Sequence, residues 1–268
     1  MSESLSEWLS LRQTADFAAR SPSLTEAVIQ RLADVQPLRV LDLGAGTGSN
    51  IRYLAPKLGE DQHWLAVDKD PRLLTEAAAH AAVTLPDLHL ETRTMDLGAM
   101  AGPELFHGRH LVTASALLDL VSEQWLHWIA SECRRVGACA LFTITYNGRN
   151  ECEPADSDDA AIFELFNRHQ QTDKGLGGVA VGGPHATAIA RRCFANAGFG
   201  VRVEPSDWQI GPAEQEFQRQ LIQGWAGAAT ETATDQRDSI DAWMKRRLAH
   251  VIAGRSRIVV GHDDLAAI

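Results

Sequence analysis

The sequence predicts one doubly wound α/β domain: a mostly parallel sheet of seven strands with helices on both faces. Two observations carry that expectation. Short apolar runs of strand length alternate with segments of helical periodicity along nearly the whole chain. The first run, Leu38–Leu43, ends in three glycines at alternate positions, Gly44, Gly46 and Gly48, and these open into a helix signal. Such a turn lets backbone groups approach a ligand closely, with a helix N-terminus behind it. The bulk agrees, since 268 residues with 45% hydrophobic and 22% charged content suit a single embellished domain.

The elements follow in order. The region from about Ser6 to Leu32 reads as helical, with Leu24, Val28 and Leu32 on one stripe. Leu38–Leu43 reads as a buried strand. Helix signals run from Ser49 to about Leu54, where Pro56 closes them. His63–Asp68 is the second strand, and Asp70 as N-cap with Pro71 at the first helical position opens an alanine-rich helix. Leu88–Asp96 alternates as a third strand, and His110–Leu118 is a fourth that runs into a turn. Trp125, Trp128 and Ile129 mark the core face of the next helix, before a fifth strand at Gly137–Tyr146.

After Asn147 the alternation is interrupted. "ECEPADSDD" is acidic and turn-like, Ala160–Lys174 reads as a helix, and Gly175–Pro184, with five glycines and no periodicity, reads as a mobile loop. A helix (Ala186–Ala197), a strand (Gly200–Ile210), two helices (Ala213–Ala229, Asp235–Ala253) and a last strand (Arg257–Gly261) complete the pattern. The expected organisation is therefore one domain over 1–268, with an N-terminal helical cap at 1–36 and an inserted substrate-cap segment at 147–185.

Composition excludes several classes. The formal charge is −10, and the basic triplet Lys245–Arg247 reads as a solvated helix face, so no nucleic-acid partner is expected. No stretch reaches the roughly 18 apolar residues of a membrane span, and "MSESLSEWLS" lacks a signal-peptide pattern, so a cytoplasmic protein is expected. Four cysteines at irregular spacing, with no C-x-x-C pair, read as reduced thiols. Cys152 lies between Glu151 and Glu153, whose charges disfavour a thiolate. Nothing has metal-ligand spacing, so no metal is expected.

The glycine spacing separates two phosphate cradles from a third kind of turn. The dinucleotide pattern G-x-G-x-x-G would place its last glycine where Ser49 stands, and a Walker loop would need a lysine that is missing. Asp42-Leu-Gly44-Ala-Gly46-Thr-Gly48 instead resembles the Asp/Glu-x-Gly-x-Gly-x-Gly motif of class I S-adenosylmethionine-dependent methyltransferases, which have a Rossmann-like sheet. The resemblance extends from Leu38 to about Tyr146. It implies S-adenosyl-L-methionine as cofactor, S-adenosyl-L-homocysteine as product, and contacts from Asp42, Gly44, Ala45, Gly46 and Lys69. Asp68, ending the second strand, matches the acid that accepts both ribose hydroxyls, as a carboxylate suits a vicinal diol. Asp96 and Leu97 match the pair that meets adenine. Ala114 and Ser115 lie where the fourth strand opens onto the cofactor, and Arg20 is placed as relatives place the arginine for the methionine carboxylate.

Nucleic-acid amino-methyltransferases carry Asn/Asp-Pro-Pro-aromatic at the fourth strand; Ala114-Ser115-Ala116 departs from it and points to a small-molecule acceptor. Asp119 and His169 are the candidate proton acceptors, Asp119 by position and His169 by its ordinary pKa. Tyr146, Phe166 and Asn167 are candidate substrate contacts, with Gly177, Gly178, Gly182 and Gly183 as lid hinges. Methyl transfer to O, N or S of a small molecule is the expected function, and a homodimer is allowed. A non-catalytic cofactor-binding regulator or assembly protein on the same fold is the alternative, with an NAD(H) oxidoreductase third.

Overall fold

The computed structural model describes residues 2–99, 102–174, 176 and 181–268, so much of the glycine loop expected to be mobile, including hinges Gly177 and Gly178, lies outside the described residues. Two helices, α1 (Ser2–Ala19) and α2 (Pro22–Leu32), precede the sheet. The expected single helical run breaks at Arg20–Ser21, because Ser21 turns to extended backbone and its hydroxyl accepts the Leu24 N–H at 3.1 Å, starting α2 afresh.

The nucleus of the fold is β1 (Leu38–Leu43), α3 (Ser49–Leu54), β2 (Gln62–Asp68), α4 (Pro71–Thr84), β3 (His89–Thr94) and β4 (Leu111–Ser115). The fourth strand thus stops three residues earlier than expected. Then follow α5 (Glu123–Val136), β5 (Cys139–Glu153), α6 (Asp159–Gln170), α7 (Ala186–Asn196), β6 (Val201–Pro205), β7 (Trp208–Ile210), α8 (Gln215–Thr232), α9 (Arg237–Ile252) and β8 (Arg257–Ala267). The sheet runs β3-β2-β1-β4-β5-β8-β6, with β7 also on β8. The first five of these strands are parallel, and β8 runs antiparallel to β5, β6 and β7.

Eight strands replace the expected seven. Gly200–Ile210 splits at Ser206, whose N–H leaves the strand to meet the His262 carbonyl at 2.8 Å. The fifth and last strands are also longer than expected, and their antiparallel pair extends beyond the parallel pairing of β5 with β4. Glu151–Glu153, expected as a turn, pair with Arg257–Val259, so the segment 147–185 begins inside a strand.

Successive residues of β1 serve opposite cores, as a parallel strand buried on both faces requires. Leu41 and Leu43 pack with Val112, Phe106, Trp125 and Phe142 under α5 and α7, while Val40 packs with Trp64, Leu141, Leu24 and Val28 under α2 and α3. A third core lies between the extended β5–β8 pair and α1, α6, α8 and α9, where Ile144, Phe163, Trp225, Trp243 and Val260 meet. The triplet expected as a solvated helix face helps close it. Arg247 is fully buried and donates from Nε to Asp159 Oδ1 (2.9 Å) and from Nη1 to the Pro154 carbonyl (2.5 Å). Arg246 pairs with Asp156 and Asp158. The acidic run before α6 draws two of the three cations down onto it.

Candidate functional site

The chain turns at Gly44, Gly46 and Gly48 with φ of +64°, +53° and +77°. Left-handed backbone costs an L-residue about 1–2 kcal/mol, so glycine is the economical choice at each. Space argues the same way at Gly46, where a Cβ would stand 3.2 Å from Leu9 of α1. Asp68, at the end of β2, accepts the Gly46 N–H on Oδ2 and the Asp70 N–H on Oδ1, both at 2.9 Å. Its carboxylate therefore shapes the turn, and two further lone-pair directions stay open for a ligand. The turn floors a cavity of about 320 Å³, roofed by Leu5, Leu9 and Arg12 of α1 and flanked by Met95, Leu97 and Leu117.

Behind the turn lies a buried group of charges. Asp42 accepts an amide hydrogen bond from Asn50 at 2.6 Å, and Asn50 also donates to Thr113 Oγ1 at 3.1 Å. Burial pushes the Asp42 carboxyl up to about 7, against the lowering effects of Asn50 and the Arg20 charge. Arg20 sits with its guanidinium 4.3 Å from the Tyr53 ring centre; burial lowers its pKa, and Asp264 and Asp16 oppose that. Asp264 is held by the N–H groups of Ile144 (2.8 Å) and Ser21 (2.9 Å). Arg20 Nε and Nη1, Asp42 Oδ2 and Asn50 Oδ1 are buried with no hydrogen-bond partner among the described residues. Each such orphan costs about 1–3 kcal/mol; none of the three residues lines the described cavity, and what would satisfy the set is a group that is anionic toward Arg20 and donates toward Asp42 and Asn50. The amino-acid end of S-adenosylmethionine has that chemistry.

Of the residues expected at the cofactor, Gly44, Gly46, Asp68, Lys69, Leu97 and Ser115 line the cavity. Ala45 and Ala114 are buried beside it, Ala45 donating its N–H to the Val67 carbonyl at 3.0 Å. Asp96 does not line it: the side chain is exposed and caps its own turn by accepting the Gly98 N–H at 2.8 Å, while its neighbours Met95 and Leu97 face inward. Ala116, just past β4, lines the cavity at φ +53°, its N–H tied to the Thr143 carbonyl at 2.9 Å. Left-handed backbone at a non-glycine residue is strained, and this hydrogen bond helps hold it.

Asp119 does not itself line the cavity, though Leu117 and Leu120 on either side of it do; it is half-buried, and its Oδ1 is out of solvent without a partner among the described residues. Burial pushes its carboxyl up to about 6, against the lowering effects of backbone N–H groups and of Arg12. His169 stands apart from the cavity, its Nε2 2.9 Å from Glu231 and its Nδ1 3.4 Å from the Lys174 ammonium. Tyr146, Phe166 and Asn167 come together, but behind the cavity wall. Tyr146 OH donates to Asn167 Oδ1 (2.7 Å) and accepts from Asn150 (2.5 Å), Asn167 donates to the Gly148 carbonyl (2.9 Å), and Phe166 stacks edge-on against Tyr146 at 5.5 Å. A bulge in β5 decides this. Ile144 takes φ +55° and the pairing register with β8 shifts between Phe142 and Thr145, which reassigns the faces of all later residues.

Sequence reasoning missed Asn50, Asp264 and Arg12. Asn50 had a signal, its place in the first turn of the helix that follows the glycines. Arg12 had a weaker one, an i,i+4 pair with Asp16. Asp264 comes from the far end of the chain and had none.

Residues 40–138 match the family model described as a methyltransferase domain. A search of curated proteins finds no match. Among solved structures, geranyl diphosphate C-methyltransferase of Streptomyces coelicolor is 16% identical at a TM-score of 0.51, over 91% of this chain and 79% of that one. A cyclopropane synthase of Mycobacterium tuberculosis is 13% identical at 0.48, over 92% and 83%. Phosphoethanolamine N-methyltransferase 2 of Haemonchus contortus is 15% identical at 0.46, over 92% and 52%, so this chain spans about half the length of that protein. At these identities the likeness is one of fold. The matched segment, less than half of the chain, carries the strand order, the three left-handed glycines and the acid ending β2, and so is similar to a methyltransferase domain over residues 40–138.

Proposed function

We propose that this chain transfers a methyl group from S-adenosylmethionine to an O, N or S atom of a small-molecule acceptor, releasing S-adenosylhomocysteine. One observation carries the reading: the buried, unpartnered polar atoms of Arg20, Asp42 and Asn50 lie behind a left-handed glycine turn edged by Asp68. Arg20 would hold the cofactor's carboxylate, Asp42 and Asn50 its ammonium, and Asp68 the ribose hydroxyls. Met95 and Leu97 would flank the adenine, a role that passes to them from the exposed Asp96. When bound, the sulfonium supplies an already activated methyl group. The protein's own part is to align the acceptor, exclude water and, for a hydroxyl acceptor, take its proton.

Asp119 is the base on this reading. Its carboxyl at about 6 is ionised at neutral pH yet basic enough to accept a proton, so the rate should rise through pH 6. The cap consists of 1–36 and of 147–185, joined by α8 and α9, which pack on α6 and close the third core. The acceptor is taken to be neither nucleic acid nor membrane lipid, and no helix among the described residues is long and apolar enough to cross a membrane. A cytoplasmic setting agrees with four free, buried thiols; burial pushes Cys139 up to about 11 and Cys152 to about 12.

Incubation with a metabolite extract and methyl-labelled cofactor tests this. A labelled small molecule is expected, and Asp119→Asn should lower its single-turnover rate by about 10²-fold with cofactor affinity intact. Tight cofactor binding with no labelled product from any extract would favour the non-catalytic regulator instead.

A further inference from the structure

We propose that Arg12 is the receptor for a carboxylate on the methyl acceptor, and that the acceptor is otherwise apolar; this rests on the methyl-transfer reading of the cavity. Arg12 lies two turns before Arg20 in the chain and lines the cavity beside Leu5, Leu9, Leu120 and Leu176. Its side chain is only 12% exposed. Nε donates to Asp16 Oδ2 at 2.9 Å, and the other oxygen of Asp16 accepts the Trp208 indole N–H at 3.0 Å. The guanidinium also lies over the Trp208 ring, 5.2 Å from its centre. Arg12 is thus held at two points by groups that are themselves buried and bonded to each other, Asp16 at 4% and Trp208 at 4% exposure.

What this arrangement leaves free is informative. Among the described residues, no acceptor reaches Nη1 or Nη2, the two nitrogens that form the outer fork of the guanidinium. A surface arginine would leave its fork in water at little cost. Here the rotamer is locked and most of the side chain is removed from water, so the entropy of orienting the fork has already been spent in the free protein. A planar fork held in this way matches a carboxylate in two parallel hydrogen bonds, which a lysine cannot supply. The surrounding leucines select an apolar body for the same ligand.

The charged and titratable neighbours fit this assignment. Asp119 attracts Arg12 through space, with no hydrogen bond between them. His262, packed on Trp208 at 4.4 Å between ring centres, is pushed down to about 3 by burial, so it brings no competing cation. The cofactor's own carboxylate has Arg20 beneath the glycine turn, whose Nε and Nη1 are the buried, unpartnered donors. Arg12 therefore stands free for the second substrate.

The same carboxylate chemistry could come from the cofactor or from the acceptor, and titration calorimetry separates the two. Straight-chain carboxylates of four to ten carbons and their primary amides would be titrated into S-adenosylhomocysteine-saturated wild type, Arg12→Lys and Arg12→Gln. At least one carboxylate should bind wild type about tenfold or more tightly than its amide. Arg12→Gln should erase that preference and Arg12→Lys keep part of it, while the homocysteine compound binds all three within about twofold. Carboxylate and amide binding equally to wild type, or a preference that survives in Arg12→Gln, would overturn the assignment. So would a loss of cofactor-product affinity in Arg12→Gln, since Arg12 would then serve the cofactor. Failure of the homocysteine compound to bind wild type is a separate result that removes the methyl-transfer reading itself.

Discussion

In the half of the molecule built on β1, β2 and β4, backbone sets the groups that face the cavity. Three glycines within five positions make the turn, and one carboxylate ties Gly46 to Asp70 across 24 positions of sequence. In the half built on the extended β5–β8 pair, side chains do the setting, and they come from far apart. Trp208 meets Asp16 across 192 positions, and Arg247 meets Asp159 across 88. The first half is thus set by one contiguous stretch of chain, and the second only by contacts between segments that are distant in sequence.

The sharpest way to break this comparison is to attack one half and watch the other. Arg247→Met removes a fully buried cation, takes its donor from the Pro154 carbonyl, and leaves Asp159 with only the Trp243 indole and the Asp156 N–H. Loss of one partner of a buried pair costs about 3–5 kcal/mol, and urea unfolding should register it. Hydrogen exchange should quicken in α6 and α9 while β1 and β2 stay protected. A loss under about 1 kcal/mol, or equal loosening everywhere, would mean that the halves are not separately held.

A pH titration reaches the other half. Asp42, pushed up to about 7 from an ordinary value of 3.8, keeps its proton in the folded chain over a range where the unfolded chain has released it. Its contribution to stability is therefore full at low pH, falls as pH rises from about 4 to 7, and stays reduced above that. Asp42→Asn has no such slope, so its stability relative to wild type should rise across that window by on the order of 2–4 kcal/mol. Parallel stability profiles for the two proteins would show that Asp42 is not held as a costly buried acid.

Next in size is Asp68→Ala. It should weaken S-adenosylhomocysteine binding by about 2 kcal/mol, roughly thirtyfold, as measured by calorimetry. Because Asp68 also holds two backbone N–H groups, a small drop in melting temperature should accompany it, which an exposed strand-end acid would not show. The smallest effect belongs to Tyr146→Phe. Losing the hydroxyl between Asn167 and Asn150 should cost about 1 kcal/mol of stability and leave cofactor affinity unchanged. A tenfold loss of cofactor affinity would put Tyr146 back on the cavity wall.

What could be read in the sequence follows the same division. The first five strands, their order along the chain and the glycine turn were legible, because each is written within a dozen contiguous residues. Asp70 capping α4 ahead of Pro71 is a case where local chemistry settled the outcome. The lengths of β5 and β8 were not legible, since strands of that length are stabilised by each other, and their residues alternate only after the bulge at Ile144 is known. Tyr146 was misplaced for that reason. Arg247 was misread because a basic triplet shows no partner until the acidic run before α6 is brought against it. The ion pair of His169 with Glu231 depends likewise on the packing of α6 on α8.

The central claim is that the glycine turn, Asp68 and the orphaned atoms of Arg20, Asp42 and Asn50 form a site for a methionine-derived sulfonium cofactor. Titration calorimetry of the wild-type chain with S-adenosylhomocysteine and, separately, with NADH tests it most directly. Saturable one-to-one binding of the homocysteine compound is expected, with NADH weaker by about 3 kcal/mol or more, over a hundredfold in dissociation constant. NADH binding as tightly as S-adenosylhomocysteine, or tightly while the latter fails to bind, would contradict it.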